Sequence, residues 1–108
     1  LKRTFWPFTL KDKVDENGNV VEKGKKIVVR MPQKKVFEAI KEIPDLDEDN
    51  ATAEDTEAIY HLVAAVLNNN MGKVSVTEED VADYDIEECT AILNAYMEFV
   101  NELKQNPN

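Results

Sequence analysis

One histidine, one cysteine and a run of carboxylates are the side chains of this 108-residue sequence whose types and spacing raise the question of chemistry. His61 stands between Tyr60 and Leu62, with Glu57 one helical turn before it and Ala65 one turn after. A histidine general base needs an orienting carboxylate and a nucleophile, and no Ser, Thr or Cys lies at a recognisable spacing from it. It reads as an ordinary surface or half-buried helix residue. Cys89 falls on an apolar helical stripe beside Glu87 and Glu88, where burial and negative neighbours both disfavour the thiolate; it reads as core. Being alone, it excludes an internal disulfide. The run Asp45-Leu46-Asp47-Glu48-Asp49-Asn50 places carboxylates at alternate positions, as a calcium loop does to aim them at one hard cation. Counted from Asp45, however, the sixth position is Asn50 instead of Gly and the twelfth is Thr56 instead of a bidentate Glu, Glu57 coming one residue late. A solvated acidic linker is the better reading. Gly18, Gly24 and Gly72 stand too far apart to build a phosphate loop, and no Cys/His cluster exists to hold zinc. The sequence predicts no catalytic, cofactor or metal site.

Charge narrows the partners further. Residues 1–41 hold eleven Lys/Arg and five Asp/Glu, a balance of +6, whereas residues 42–108 hold two and seventeen, a balance of -15. The acidic part repels phosphate backbones and anionic lipid, so nucleic acid and membrane surfaces are poor partners and a basic protein surface is a better one. Lys23, Lys25, Lys26, Arg30, Lys34 and Lys35 do gather near the second strand, with Trp6 and Phe8 across the hairpin, a combination able to bind single strands, but the larger acidic balance weighs against it. The bland alternative is that the charges keep the molecule soluble. No apolar run approaches the ~20 residues that cross a bilayer, and Leu1-Lys2-Arg3-Thr4-Phe5-Trp6 lacks the apolar stretch of a secretory signal, so a cytoplasmic protein is expected, with some residues before Leu1 unseen.

With 43% hydrophobic and 32% charged residues, one folded domain spanning residues 1–108 is expected. Aromatic and β-branched residues alternate over residues 4–10, which puts Trp6, Phe8 and Leu10 on one side of a strand; Pro7, lacking an N–H, assigns that strand to a sheet edge. A second strand is predicted over residues 25–31, Ile27, Val29 and Met31 facing opposite to Val28 and Arg30. Between them Asp15-Glu16-Asn17-Gly18-Asn19 offers the Asn-Gly pair of a tight turn, giving a β-hairpin over residues 1–32 with a long polar tip. The remainder, residues 33–108, is predicted helical. A short helix over 34–43 carries Val36, Phe37, Ile40 and Ile43 and stops at Pro44. Thr52 with Asp55 resembles a capping box for a helix whose stripe is Ile59, Leu62, Val63, Val66 and Leu67, closed in left-handed conformation near Asn68-Asn69-Asn70-Met71-Gly72. Val74 to Val76 is a short extended piece, and Thr77 starts a brief acidic turn. Asp85 with Glu88 caps the longest helix, whose stripe runs Ile86, Cys89, Ile92, Leu93, Tyr96, Phe99, Val100 and Leu103 and ends at Asn106-Pro107. The fold class expected is α+β, an N-terminal β-hairpin packed on about three helices.

Apolar groups beyond those a core needs are the remaining functional signal. Trp6, Phe8 and Leu10 either cover the helices or dock a peptide or second copy by strand addition. Tyr96, Phe99 and Leu103 either belong to the core, which is the default, or pack between subunits.

The order hairpin, short helix, acidic linker, helix, long helix resembles the small tail assembly chaperones of phages and prophages of Gram-positive bacteria. The resemblance rests on Arg3-Thr4-Phe5-Trp6-Pro7-Phe8, Ile27-Val28-Val29-Arg30-Met31-Pro32, Leu67-Asn68-Asn69-Asn70, Val76-Thr77-Glu78-Glu79-Asp80-Val81 and Tyr96-Met97-Glu98-Phe99-Val100-Asn101-Glu102-Leu103. It covers nearly the whole chain and contains no invariant chemical motif. It implies a non-catalytic protein without cofactor that binds the long tape measure protein and helps tail tube subunits assemble around it, as a monomer or homo-oligomer. The alternatives are a structural head-tail or tail component of the particle and an acidic regulator or inhibitor that mimics nucleic acid.

Overall fold

The computed structural model describes residues 5–43 and 52–105. The stop at Pro44, the acidic run from Asp45 to Asn50 and the Asn106-Pro107 ending lie outside those residues.

The expected hairpin is formed by β1 (Trp6–Thr9) and β4 (Lys26–Val29), which run antiparallel with Trp6 opposite Val29, Pro7 opposite Val28, Phe8 opposite Ile27 and Thr9 opposite Lys26. Opposed residues share a face. Trp6, Phe8, Ile27 and Val29 therefore face the helices, and Ile27 and Val29 are buried. The Leu10 N–H donates to the Lys25 carbonyl at 2.9 Å. Alternation then aims the Trp6 and Phe8 N–H groups at β4 and the Pro7 nitrogen outward, where its missing donor leaves no gap in the ladder.

The tip of this hairpin is itself built. β2 (Lys13–Val14) and β3 (Val20–Glu22) form a second, smaller antiparallel pair that the polar composition of the segment did not predict. Its turn is held by the Asp15 carboxylate, which accepts from the N–H groups of Asn17 and Asn19, both at 2.9 Å, and by Gly18 at φ 82°. Those two bonds favour the ionised form, so the Asp15 pKa lies below its usual value. Where this arm joins the hairpin, a Cβ on Gly24 would stand 1.8 Å from the Leu10 carbonyl oxygen, so the close approach of the two backbones requires glycine.

The far edge of β4 is completed from the helical half. Arg30 N–H donates to the Asn69 carbonyl and Met71 N–H to the Val28 carbonyl, each at 2.9 Å, around a bridge that opposes Val29 to Asn70. Tyr96 donates its hydroxyl to the Arg30 carbonyl at 2.6 Å, and Asn69 Nδ2 donates to the Met31 carbonyl at 3.0 Å. Every one of these bonds joins residues far apart in the chain.

Three helices follow. α1 (Lys34–Lys41) ends two residues before the expected Ile43, which sits in its closing turn, and buries Ile40. α2 (Ala53–Asn68) starts with the predicted capping box: Thr52 Oγ1 accepts from Asp55 N–H at 3.1 Å, and the Asp55 carboxylate accepts from Thr52 N–H at 3.4 Å. Its end departs from expectation. Asn69 closes it at φ -86°, and the positive-φ residue in this stretch is Lys73, at 54°, in place of an Asn or Gly. The left-handed cap is unnecessary because the buried Asn70 side chain amide donates to the Leu67 and Val74 carbonyls at 2.9 and 2.8 Å and its oxygen accepts from Val74 N–H at 2.8 Å. Consecutive turns carry the chain from Thr77 to Tyr84, and α3 (Ile86–Gln105), the longest helix, opens with the Asp85/Glu88 capping box at 2.7 and 3.0 Å. The architecture is α+β. One core joins Leu10, Ile27 and Val29 of the hairpin to Ile40, to the α2 and α3 stripes, and to Val76, Val81 and Tyr84 of the connection.

Candidate functional site

The two sets of apolar side chains weighed as either core or docking surface meet each other inside one subunit. Trp6 stacks on Phe8 with ring centroids 5.4 Å apart and lies against Tyr96 at 5.5 Å, and Tyr96 lies against Phe99 at 6.1 Å. Leu10, Tyr96 and Phe99 are buried, Tyr96 completely, which corrects their assignment to a partner surface. Trp6, Phe8 and Leu103 are half-buried against the same core. The reason is mutual: an aromatic strand face and an aromatic helix stripe remove more apolar area from water by covering one another than either does alone. Helical periodicity showed which face was apolar without showing what would cover it.

The polar centre of the molecule is Asp80, whose side chain is 8% exposed. Its carboxylate accepts from Thr77 N–H at 2.9 Å and Thr77 Oγ1 at 3.2 Å and pairs with Lys13 Nζ at 2.9 Å and Lys25 Nζ at 3.2 Å. The Thr77 backbone bond, then the two ammonium groups, hold its pKa well below the usual carboxylate range. Beside it Lys11 N–H donates to the Tyr84 hydroxyl at 3.0 Å, and Lys11 Nζ pairs with Glu88 at 2.8 Å. Tyr60 donates its hydroxyl to the Tyr84 carbonyl. The arrangement ties the base of the arm to the connection before α3.

His61 is 77% exposed on α2, and its Nδ1 lies 3.1 Å from a Glu78 carboxylate oxygen, a partner that the sequence reading did not supply. The pair sits in an open depression with Glu54, Glu57 and Ala58. No hydroxyl or thiol is bonded to His61 among the described residues, so the orienting carboxylate of a catalytic pair is present without a nucleophile. Cys89 is fully buried, and desolvation, followed by the nearby Asp85 and Glu88 charges, pushes its thiol up to about 11. A cavity of about 240 Å³ opens between Pro32, Gln33 and Val36 at the start of α1 and Ala65, Asn68 and Asn69 at the end of α2. Among the described residues no three His, Cys, Asp or Glu side chains converge to hold a metal ion, and no helix is long and apolar enough to cross a membrane.

Apolar side chains left to solvent cluster on the β layer: Phe5, Val28, Met31 and Met71 around the hairpin, and Val14, Val20 and Val21 on the arm. Met71, 51% exposed, joins Val28 through the Met71 N–H bond to β4. Alternation in the second strand separated Val28 from Ile27 and Val29, but nothing local placed Met71, 43 residues on, beside it. Comparison with known protein families, characterised proteins and solved structures finds no match.

Proposed function

We propose that this chain is a non-catalytic protein-binding subunit, acting in the cytoplasm of a phage-infected or lysogenic host as a tail assembly chaperone for the tape measure protein and for the tail tube that forms around it. The observation that supports binding is the unequal distribution of leftover apolar surface. The helical stripes are enclosed, whereas Phe5 and Val28 on the hairpin, Met71 beside it, and Val14, Val20 and Val21 on the arm stand in solvent. Exposed apolar side chains grouped on one layer are what a partner's apolar face would cover. The phage assignment comes from the sequence resemblance, which covers nearly the whole chain and rests on segments of the hairpin, the end of α2, the connection at residues 76–81 and α3.

Co-expression with the long helical protein encoded beside it, followed by purification on a tag carried by the partner, tests the reading. A recovered one-step complex, together with absence of the chain from finished particles, is the expected result. No recovered complex overturns it, and presence in purified particles moves the assignment to a structural tail component.

A further inference from the structure

We infer that the outer face of the β1–β4 sheet is a docking surface for a protein segment that carries carboxylates beside apolar side chains. Pro7, Val28 and Met71 stand in line across three adjacent backbone segments, set by the Pro7–Val28 register and by the Met71 N–H bond to the Val28 carbonyl. Thr9 and Lys26 flank this line on one side, Arg30 and Asn69 on the other, and Phe5 precedes Pro7 on the same alternation. All but the half-buried Asn69 are exposed.

Charge decides what fits. The chain has 22 Asp/Glu against 13 Lys/Arg, yet among the described residues this face holds two cations and no carboxylate. Neither Lys26 nor Arg30 has an ion pair among the described residues, in contrast to Lys11, Lys13 and Lys25, which are all paired. An apolar line edged by unpaired cations complements apolar side chains edged by carboxylates. A second copy docked about a two-fold axis would bring Lys26 and Arg30 against the same cations, so this face opposes isologous self-association. Single-stranded nucleic acid is disfavoured because base stacking needs exposed rings, and the inward turn of Trp6 and Phe8 leaves Phe5 alone. The edge of β1, interrupted by Pro7, is a poor template for strand addition, which leaves the face itself as the contact.

This inference rests on the protein-binding reading but not on the identity of the phage partner. Two synthetic peptides test it by amide chemical-shift titration of the isotope-labelled chain, one of leucine and glutamate at helical spacing and the other with lysine in place of each glutamate. The expected result is that the glutamate peptide shifts the amides of Phe5, Val28, Arg30 and Met71. A Lys26→Glu/Arg30→Glu variant that keeps a dispersed spectrum then loses at least tenfold in affinity for that peptide and gains affinity for the lysine peptide. Shifts confined to the arm or helices, equal response to both peptides, shifts of the same amides by oligodeoxythymidine, or a dimer through this face in sedimentation each overturn the inference. A tape measure complex that survives the charge-reversed variant also overturns it while leaving the proposed function intact; loss of the complex from the unaltered chain, with the peptide shifts present, does the reverse.

Discussion

With two lysines and a backbone N–H on its oxygens, Asp80 keeps its charge to unusually low pH. Folding lowers its pKa from the ordinary 3.8, so the unfolded chain binds the proton more readily. Its contribution is therefore complete above about pH 5 and fades as the pH falls through the unfolded value toward the folded one. Asp80→Asn is expected to cost about 1 to 2 kcal/mol at pH 7 by urea unfolding, with the difference from the parent shrinking below pH 4; a constant difference between pH 7 and pH 3 would contradict the assignment. Cys89 offers an independent residue-scale check. Enclosed and with its thiol held near 11, it should resist iodoacetamide at pH 8 in the native state and react at once in denaturant. Rapid native labelling would place the sulfur at a surface. The sequence showed Cys89 as core because its own helix supplies the evidence, whereas the partners of Asp80, Lys13 on β2 and Lys25 just before β4, lie more than fifty residues away and no local pattern announces them.

Elements whose instructions are local were the ones legible beforehand. Both capping boxes, the Asn-Gly turn, the edge position of Pro7 and the three helical stripes each depend on residues within a few positions of one another, and each stands where spacing put it. The arm was missed because β2 and β3 are two and three residues long, too short for alternation to register against their polar setting. The end of α2 was misread because a buried Asn70 side chain satisfies the carbonyls that a left-handed cap would otherwise serve. The docking face was half legible, since Val28 and Arg30 share a strand but Met71 arrives through tertiary pairing. The two arm glycines should respond differently to substitution. Gly18→Ala meets no atom and bears only the strain of its positive φ, on the order of 1 kcal/mol. Gly24→Ala drives a methyl into the Leu10 carbonyl and must displace backbone, so it is expected to lower the urea midpoint at least twice as far. Equal midpoints would show that the junction yields.

At the scale of the molecule, a single core is shared by a hairpin layer and a helical layer, and the arm projects from it without contributing a buried side chain. Replacing residues 13–22 with Asn-Gly should therefore keep the helical circular dichroism and one unfolding transition, lowering the melting temperature by no more than about 10 °C. A second transition, or loss of helix, would mean the arm is integral to the core. The uneven charge of the chain is also spatially meaningful: among the described residues Lys11, Lys13 and Lys25 pair with Glu88 and Asp80, whereas Lys26 and Arg30 on the outer sheet face have no ion pair.

The hydrogen bond from Tyr96 to the Arg30 carbonyl spans 66 residues, and the aromatic partner of Trp6 is the same tyrosine. During synthesis the N-terminal strands leave the ribosome long before that tyrosine has been made. They have neither the ring that covers Trp6 nor the hydroxyl that satisfies β4, and a lone hairpin is marginal in water. The β1–β4 hairpin is thus made early and settles late, its folding waiting on α3 clearing the exit tunnel.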